Sequence, residues 1–126
     1  MKAAQYRQYG GPEVIEIVEI EKPAPKAGQI IVEVKAASVN VFDWKVRRGY
    51  MKDAIPITLP ITIGADFAGI VTEVPGGITE FSEGDDVYGS VNVLNGGSGA
   101  FAEFATANID SIALKPTTID YEQSAA

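Results

Sequence analysis

In the stretch from Ala36 to Tyr50, Asn40, Asp43, Lys45 and Tyr50 carry hydrogen-bonding or ionisable ends close enough in sequence to act together. They fall where a strand-like pattern gives way to a helix-like one, a junction at which clefts open and side chains converge. The chemistry on offer is hydrogen bonding and proton handling by an amide, a carboxylate, an ammonium and a phenol. The same residues also read as a capped helix with a solvated basic face. A second block, Gly64-Ala65-Asp66-Phe67-Ala68-Gly69, brackets a carboxylate between two glycines at the entrance to a strand. Asp66 is expected either to accept backbone N–H bonds or to pair with Arg47 or Arg48, which would lower its pKa, or simply to sit in a turn.

Other chemistries are excluded by residue type. The chain has no cysteine and no histidine, so thiolate nucleophiles, disulfides, Cys-rich zinc sites and Ser/His/Asp triads are all missing. Glu80, Glu83, Asp85 and Asp86 lack the alternating ligands and closing glutamate of a calcium loop and read as a solvated turn. Gly97-Ser98-Gly99 approaches a dinucleotide fingerprint in spacing but leads into strand-like sequence rather than a helix.

Short strands must position these blocks. Lys2 to Gln8 and Val14 to Ile20, separated by Tyr9-Gly10-Gly11-Pro12, read as an antiparallel hairpin. From Gln29 to Val39, Ile30, Val32 and Val34 alternate with Ile31, Glu33 and Lys35, the period of a half-buried strand. Phe42 or Asp43 opens about two helical turns ending at Arg48, with Gly49 as the stop. Residues 51 to 64, with Pro56 and Pro60, read as a loop. Strands follow at Asp66 to Val74, Val87 to Val91, Ala100 to Thr106 and Ser111 to Leu114, with Asn95 to Gly99 as the most flexible stretch. Strands at such short spacing favour a barrel or sandwich. In the last residues Asp120 caps a helix with Gln123 as its reciprocal partner; barely one turn follows, so the tail is either frayed or cut from something longer.

The 126 residues suit one domain. Seventeen acidic against ten basic residues give a net charge of −7, the wrong sign for gripping nucleic acid or anionic lipid. The N-terminus lacks the apolar run of a signal peptide, and Pro and Gly break every apolar stretch short of a membrane span. A cytoplasmic enzyme or binding domain is expected.

Five blocks in order carry a resemblance over essentially the whole chain: Met-Lys-Ala-Ala with Tyr9 to Val14, then Ala36 to Gly49, Gly64 to Gly69, Gly84 to Gly89, and Gly99 to Phe104. The sequence resembles the N-terminal GroES-like domain of the medium-chain dehydrogenase/reductase superfamily, nearest its zinc-independent quinone oxidoreductase (zeta-crystallin-like) branch. The resemblance implies a mainly β fold, a partly open β-barrel with short helices. In the zinc-dependent members a cysteine ligand falls where Asn40 stands and a histidine ligand where Ala65 stands. It therefore implies a reductase that uses NADPH without zinc or any other metal site, on quinones, enones or related conjugated carbonyls.

By resemblance Asn40 lines the nicotinamide and substrate cleft, and Asp43 and Lys45 follow it beside that cleft. Asn40 and Asp43 are thus the expected cofactor-side residues. Hydride arriving at a conjugated carbonyl builds negative charge on oxygen, and without a metal a donor must stabilise it. Asn40, Lys45 and Tyr50 are the expected catalytic residues, with Lys45 or Tyr50 as that donor and Asn40 orienting the substrate oxygen or the nicotinamide amide. Family members continue into a Rossmann cofactor domain, so 1–126 is expected to be the substrate-side domain, with 116–126 beginning the connection. Alone it is expected to bind NADPH poorly, to turn over nothing measurable and to self-associate through bared apolar surface. The competing expectation is a stand-alone binding module that uses its cleft or an exposed edge strand for a protein partner.

Overall fold

The computed structural model describes residues 1–91, 93–95 and 97–126. Its longest strand is the one with the clearest period: β3, Gln29–Ala37, buries Ile30 and Val32 completely. It lies second from the edge of a five-stranded antiparallel sheet together with β5 (Asp66–Glu73), β6 (Asp86–Ser90), β7 (Phe104–Asn108) and β8 (Ile112–Leu114), in the order β7-β3-β5-β6-β8. A smaller sheet places β1 (Lys2–Tyr6) between β2 (Glu16–Glu19) and the two-residue β4 (Ile61–Thr62). The larger sheet curls into a half-barrel, giving the mainly β, GroES-like architecture that the sequence blocks imply.

The core lies inside that curl. Ile30 and Val32 meet Phe67, Val71, Val87, Val91, Ala105 and Ala107, all essentially inaccessible. Burying one side chain the size of Phe67 contributes about 2–3 kcal/mol before the entropy of ordering is subtracted. Ile31 points to the other face yet is also buried. The reason is the C-terminal helix α2 (Tyr121–Ala125), which packs across β3 and β5 and buries Ser124 and Ala125. The terminal segment is therefore docked rather than frayed. Its cap has the expected form: Gln123 N donates to Asp120 Oδ1 at 2.7 Å and Asp120 N donates to Gln123 Oε1 at 3.1 Å.

Several elements depart from the sequence expectation for identifiable reasons. The hairpin pairs Lys2 with Glu19 through Gln5 with Glu16, so its first strand stops at Tyr6; Val18 is the half-buried residue of β2 and Ile17 faces solvent. Residues 61 and 62 form β4 within the expected loop because Tyr6 and Gln5 supply a partner edge. Ala100 to Glu103 is not a strand. Ala100 N donates to Gly64 O, Phe101 N to Ile63 O and Glu103 N to Lys2 O, while Val34 N donates to Glu103 O. This segment ties the two sheets together instead of extending β7. Of the stretch expected to be most flexible, Gly96 lies outside the described residues.

Candidate functional site

The strand ends decide where the polar block sits. Register irregularities between Ile31 and Val32 and between Val34 and Ala36 bend β3 against β5, and the pairing ends at Ala37 opposite Phe67. Ser38 N then donates to Asp66 O at 3.2 Å. Two residues later the chain enters α1, Val41–Arg48, with Asn40 as its N-cap in extended conformation. The helix thus opens earlier than at Phe42 or Asp43. Asn40 N donates to Asp43 Oδ2 at 2.7 Å, so Asp43 caps the helix from its first turn. The Asn40 side chain serves another purpose: Nδ2 donates to Asp66 Oδ2 at 2.6 Å.

Asp66 is therefore held by an amide, not by Arg47 or Arg48 as the sequence suggested. Arg47 is committed elsewhere, its Nε donating to Gly10 O at 3.3 Å while Gly10 N donates to Arg47 O at 3.0 Å. The Tyr9–Gly10 turn consequently clamps the end of α1. Gly49 closes the helix at φ 81°, with Gly49 N bonded to Val46 O and Tyr50 N to Lys45 O. A Cβ on Gly49 would stand 3.1 Å from the Tyr9 ring.

The expected site residues divide between two faces. Asp43 lines a small cavity with Tyr6, Phe42, Val46 and Gly64. Burial raises the Asp43 pKa; the Asn40 N–H opposes this and the nearby Asp66 charge adds to it. Tyr6, only 1% exposed, has its phenol pushed up to about 12, chiefly by burial and then by Tyr9. Lys45 and Tyr50 stand on the outer side. Tyr50 packs edge-on against Trp44 with ring centroids 5.9 Å apart, and Lys45 Nζ lies 5.9 Å from the Trp44 ring centre. Val39 and Val41, which flank Asn40, are exposed, and so is Tyr50 beyond the other end of α1. Nearby, Ser38 Oγ is buried with no hydrogen-bond partner among the described residues.

A larger cavity of about 660 Å³ adjoins the small one and shares Ile61, Thr62, Val93 and Leu94 with it. That volume is in the range of small-molecule sites. Residue types in the sequence did not mark this cavity, because its walls carry no ionisable group. Only the low charge of residues 54–65 and 87–102 hinted at it. Among the described residues no three carboxylate, imidazole or thiol groups are placed to hold a metal ion, and no helix is long and apolar enough to cross a membrane.

Residues 26–117 match the Alcohol dehydrogenase GroES-like domain family. The chain is 38% identical, over 99% of its length, to an NADPH-dependent alkenal/one oxidoreductase, chloroplastic, of Arabidopsis thaliana. It superposes on the quinone oxidoreductase from Coxiella burnetii with a TM-score of 0.90 at 31% identity, covering 99% of this chain. With the Escherichia coli quinone oxidoreductase complexed with NADPH the TM-score is 0.85 at 30% identity, covering 100% of this chain. The chain spans 33%, 40% and 36% of those three proteins, respectively. It belongs to the alcohol dehydrogenase GroES-like domain family, and the similar proteins named above are quinone and alkenal/one oxidoreductases.

Proposed function

We propose that the chain is the substrate-side domain of an NADPH-dependent oxidoreductase that reduces quinones or conjugated carbonyls without zinc. The observation that carries this reading is the Asn40–Asp66 hydrogen bond at the N-terminus of α1, the helix whose Asp43 lines the smaller cavity. Zinc-dependent relatives place metal ligands at the positions of Asn40 and Ala65; here an amide is locked onto a carboxylate and its neighbour is aliphatic. The names of an NADPH-dependent alkenal/one oxidoreductase and of an NADPH-complexed quinone oxidoreductase among the similar proteins support NADPH as the cofactor. The span of 33–40% of those proteins supports a further cofactor-binding domain, to which 116–126 would lead.

The residues present fit the uncharged nicotinamide end of NADPH rather than its phosphates. Asn40 presents an amide, and Trp44 with Tyr50 presents an aromatic face. The N-terminus of α1 carries Asp43 in its first turn, which repels phosphate. Asn40, with Asp43 beside it, would hold that end, and the bound cofactor would supply the hydride. Asn40, fixed by Asp66, orients an amide or carbonyl oxygen. Tyr50 or Lys45 donates to the acceptor oxygen as its negative charge grows, and a proton delivered there completes the two-electron reduction.

Trp44, the chain's one tryptophan, reports on this face. In a fluorescence titration, a saturable response to a simple quinone beside little response to NADPH supports a substrate-side domain. Tight NADPH binding to this chain alone contradicts the placement of the cofactor site, and silence toward both contradicts the enzymatic reading.

A further inference from the structure

The two stretches that supply the larger cavity's walls, 54–65 and 87–102, contain no Asp, Glu, Lys or Arg, in a chain that is 21% charged. Ile55, Ile57, Val93 and Leu94 line the cavity with Pro56 and Pro60. Its polar side chains are Gln5, Thr58, Thr62 and Ser98, and the first and third of these form a cross-strand pair. Gln5 and Thr62 lie opposite one another in the β1–β4 register, and Gln5 Nε2 donates to Thr62 Oγ1 at 3.0 Å. Thr62 is only 5% exposed and lines both cavities.

That hydrogen bond assigns the hydroxyl's role. Because Gln5 donates to the Thr62 oxygen, the Thr62 proton is free to point elsewhere, and no acceptor for it occurs among the described residues. A buried donor left without an acceptor costs free energy, which an oxygen entering the cavity would recover. An oxygen with lone pairs and no proton, such as a carbonyl, matches it. An anionic group would fare badly: no cation lines the cavity to offset its desolvation, and the chain's net charge of −7 adds repulsion at longer range.

We propose that this cavity binds an uncharged, largely apolar carbonyl acceptor, whose oxygen accepts a hydrogen bond from the Thr62 hydroxyl as oriented by Gln5. The inference rests on the quinone and conjugated-carbonyl reading above, but it moves the acceptor oxygen from the Lys45–Tyr50 side to Thr62 and narrows the substrates to acceptors that carry no charge. Anionic acceptors, such as carboxylate-bearing enones or enoyl thioesters of phosphorylated carriers, are selected against by the walls themselves.

The test compares 2-methyl-1,4-naphthoquinone with 1,4-naphthoquinone-2-sulfonate, binding each to the isotope-labelled chain by calorimetry and by amide NMR shifts. With no cysteine in the chain, thiol addition to the quinone does not confuse the readout. The neutral quinone should bind saturably, shift amides in 54–62, and bind at least tenfold more tightly than the sulfonate. Thr62→Val should weaken the neutral quinone several-fold, and Thr62→Ser, which keeps the donor, should restore it. Gln5→Met, which removes the orienting donor, should also weaken it and serves as the second variant if Thr62→Val fails to fold. Equal affinity for the two quinones, shifts confined to residues 40–50, or undiminished binding by Thr62→Val and Gln5→Met overturns this inference while the enzymatic reading stands. Saturable binding of neither quinone overturns that reading, and this inference with it.

Discussion

The side-chain amide of Asn40 donates to Asp66 Oδ2 at 2.6 Å, joining the N-cap of α1 to the first residue of β5. The bond fixes the entry angle of the helix that carries Asp43, Lys45 and Tyr50's neighbour Trp44. Removing the donor in Asn40→Ala should cost about 1.5–3 kcal/mol, the range for a hydrogen bond to a charged group. Asn40→Asp should cost more at neutral pH, because it sets a second carboxylate against Asp66, with Asp43 close by. Urea unfolding of both variants at pH 7 and pH 4 checks this. The gap between them should narrow on acidification, and an Asn40→Asp protein as stable as Asn40→Ala at pH 7 would contradict the geometry.

The C-terminal stop of α1 is a stricter requirement than its sequence suggests. Gly49 holds φ 81°, and a Cβ there would press on the Tyr9 ring. Gly49→Ala should therefore destabilise by about 1–2 kcal/mol, combining the left-handed backbone penalty with a packing shift. Tyr9→Ala in the same background should recover only the packing part. A double-mutant cycle by thermal unfolding separates the two contributions.

How much of this was legible depended on whether the determining partner was local. β3 announced itself because Ile30, Val32 and Val34 repeat at the period of a pleated strand, and the stop at Gly49 and the Asp120–Gln123 cap are set by residues within four positions of each other. The partner of Asp66 was not readable. It lies 26 positions away and is delivered by two register irregularities in β3 that no alternation reveals. Ala100 to Glu103 was misread for the same kind of reason: its alternation is strand-like, but its hydrogen bonds go to Ile63, Gly64 and Lys2 in different elements. Asn40 and Asp43 stand out by residue type, whereas Thr62 does not, because it falls in a stretch that reads as a loop and its strand partner Gln5 lies in β1.

The docking of α2 yields a separate prediction. Tyr121 OH donates to Asp86 Oδ1 at 2.5 Å, and Lys115 Nζ lies 5.4 Å from the Tyr121 ring centre. The hydrogen bond to Asp86 is the main cause that pushes the phenol up to about 12. A raised folded-state pKa means this stabilisation is present below the ordinary tyrosine value and is lost as pH rises through the folded one. Because the pair is solvent-exposed, Tyr121→Phe should cost only about 0.5–1 kcal/mol. Amide exchange should quicken in 121–125 while the core of β3 stays protected, as expected for local rather than global opening.

Asp43 gives the clearest pH signature near the site. Its carboxyl is raised above the ordinary aspartate range, first by burial, against the opposing Asn40 N–H, and further by the Asp66 charge. The folded state therefore takes up a proton at a higher pH than the unfolded chain does. Asp43's contribution to stability is fully present below the unfolded aspartate pKa and is lost as pH rises through the folded value. Asp43→Asn keeps an oxygen that can accept the Asn40 N–H but removes the titration. At pH 7 the variant should be as stable as the parent chain or slightly more so. As pH falls through the acidic range the parent should gain on the variant, with the crossing set by the folded Asp43 pKa. Chemical denaturation of the pair from pH 7 to pH 4, supported by carboxyl chemical shifts of Asp43, measures this. A parent that loses ground to Asp43→Asn on acidification would show that the cap hydrogen bond, rather than burial, governs this carboxylate.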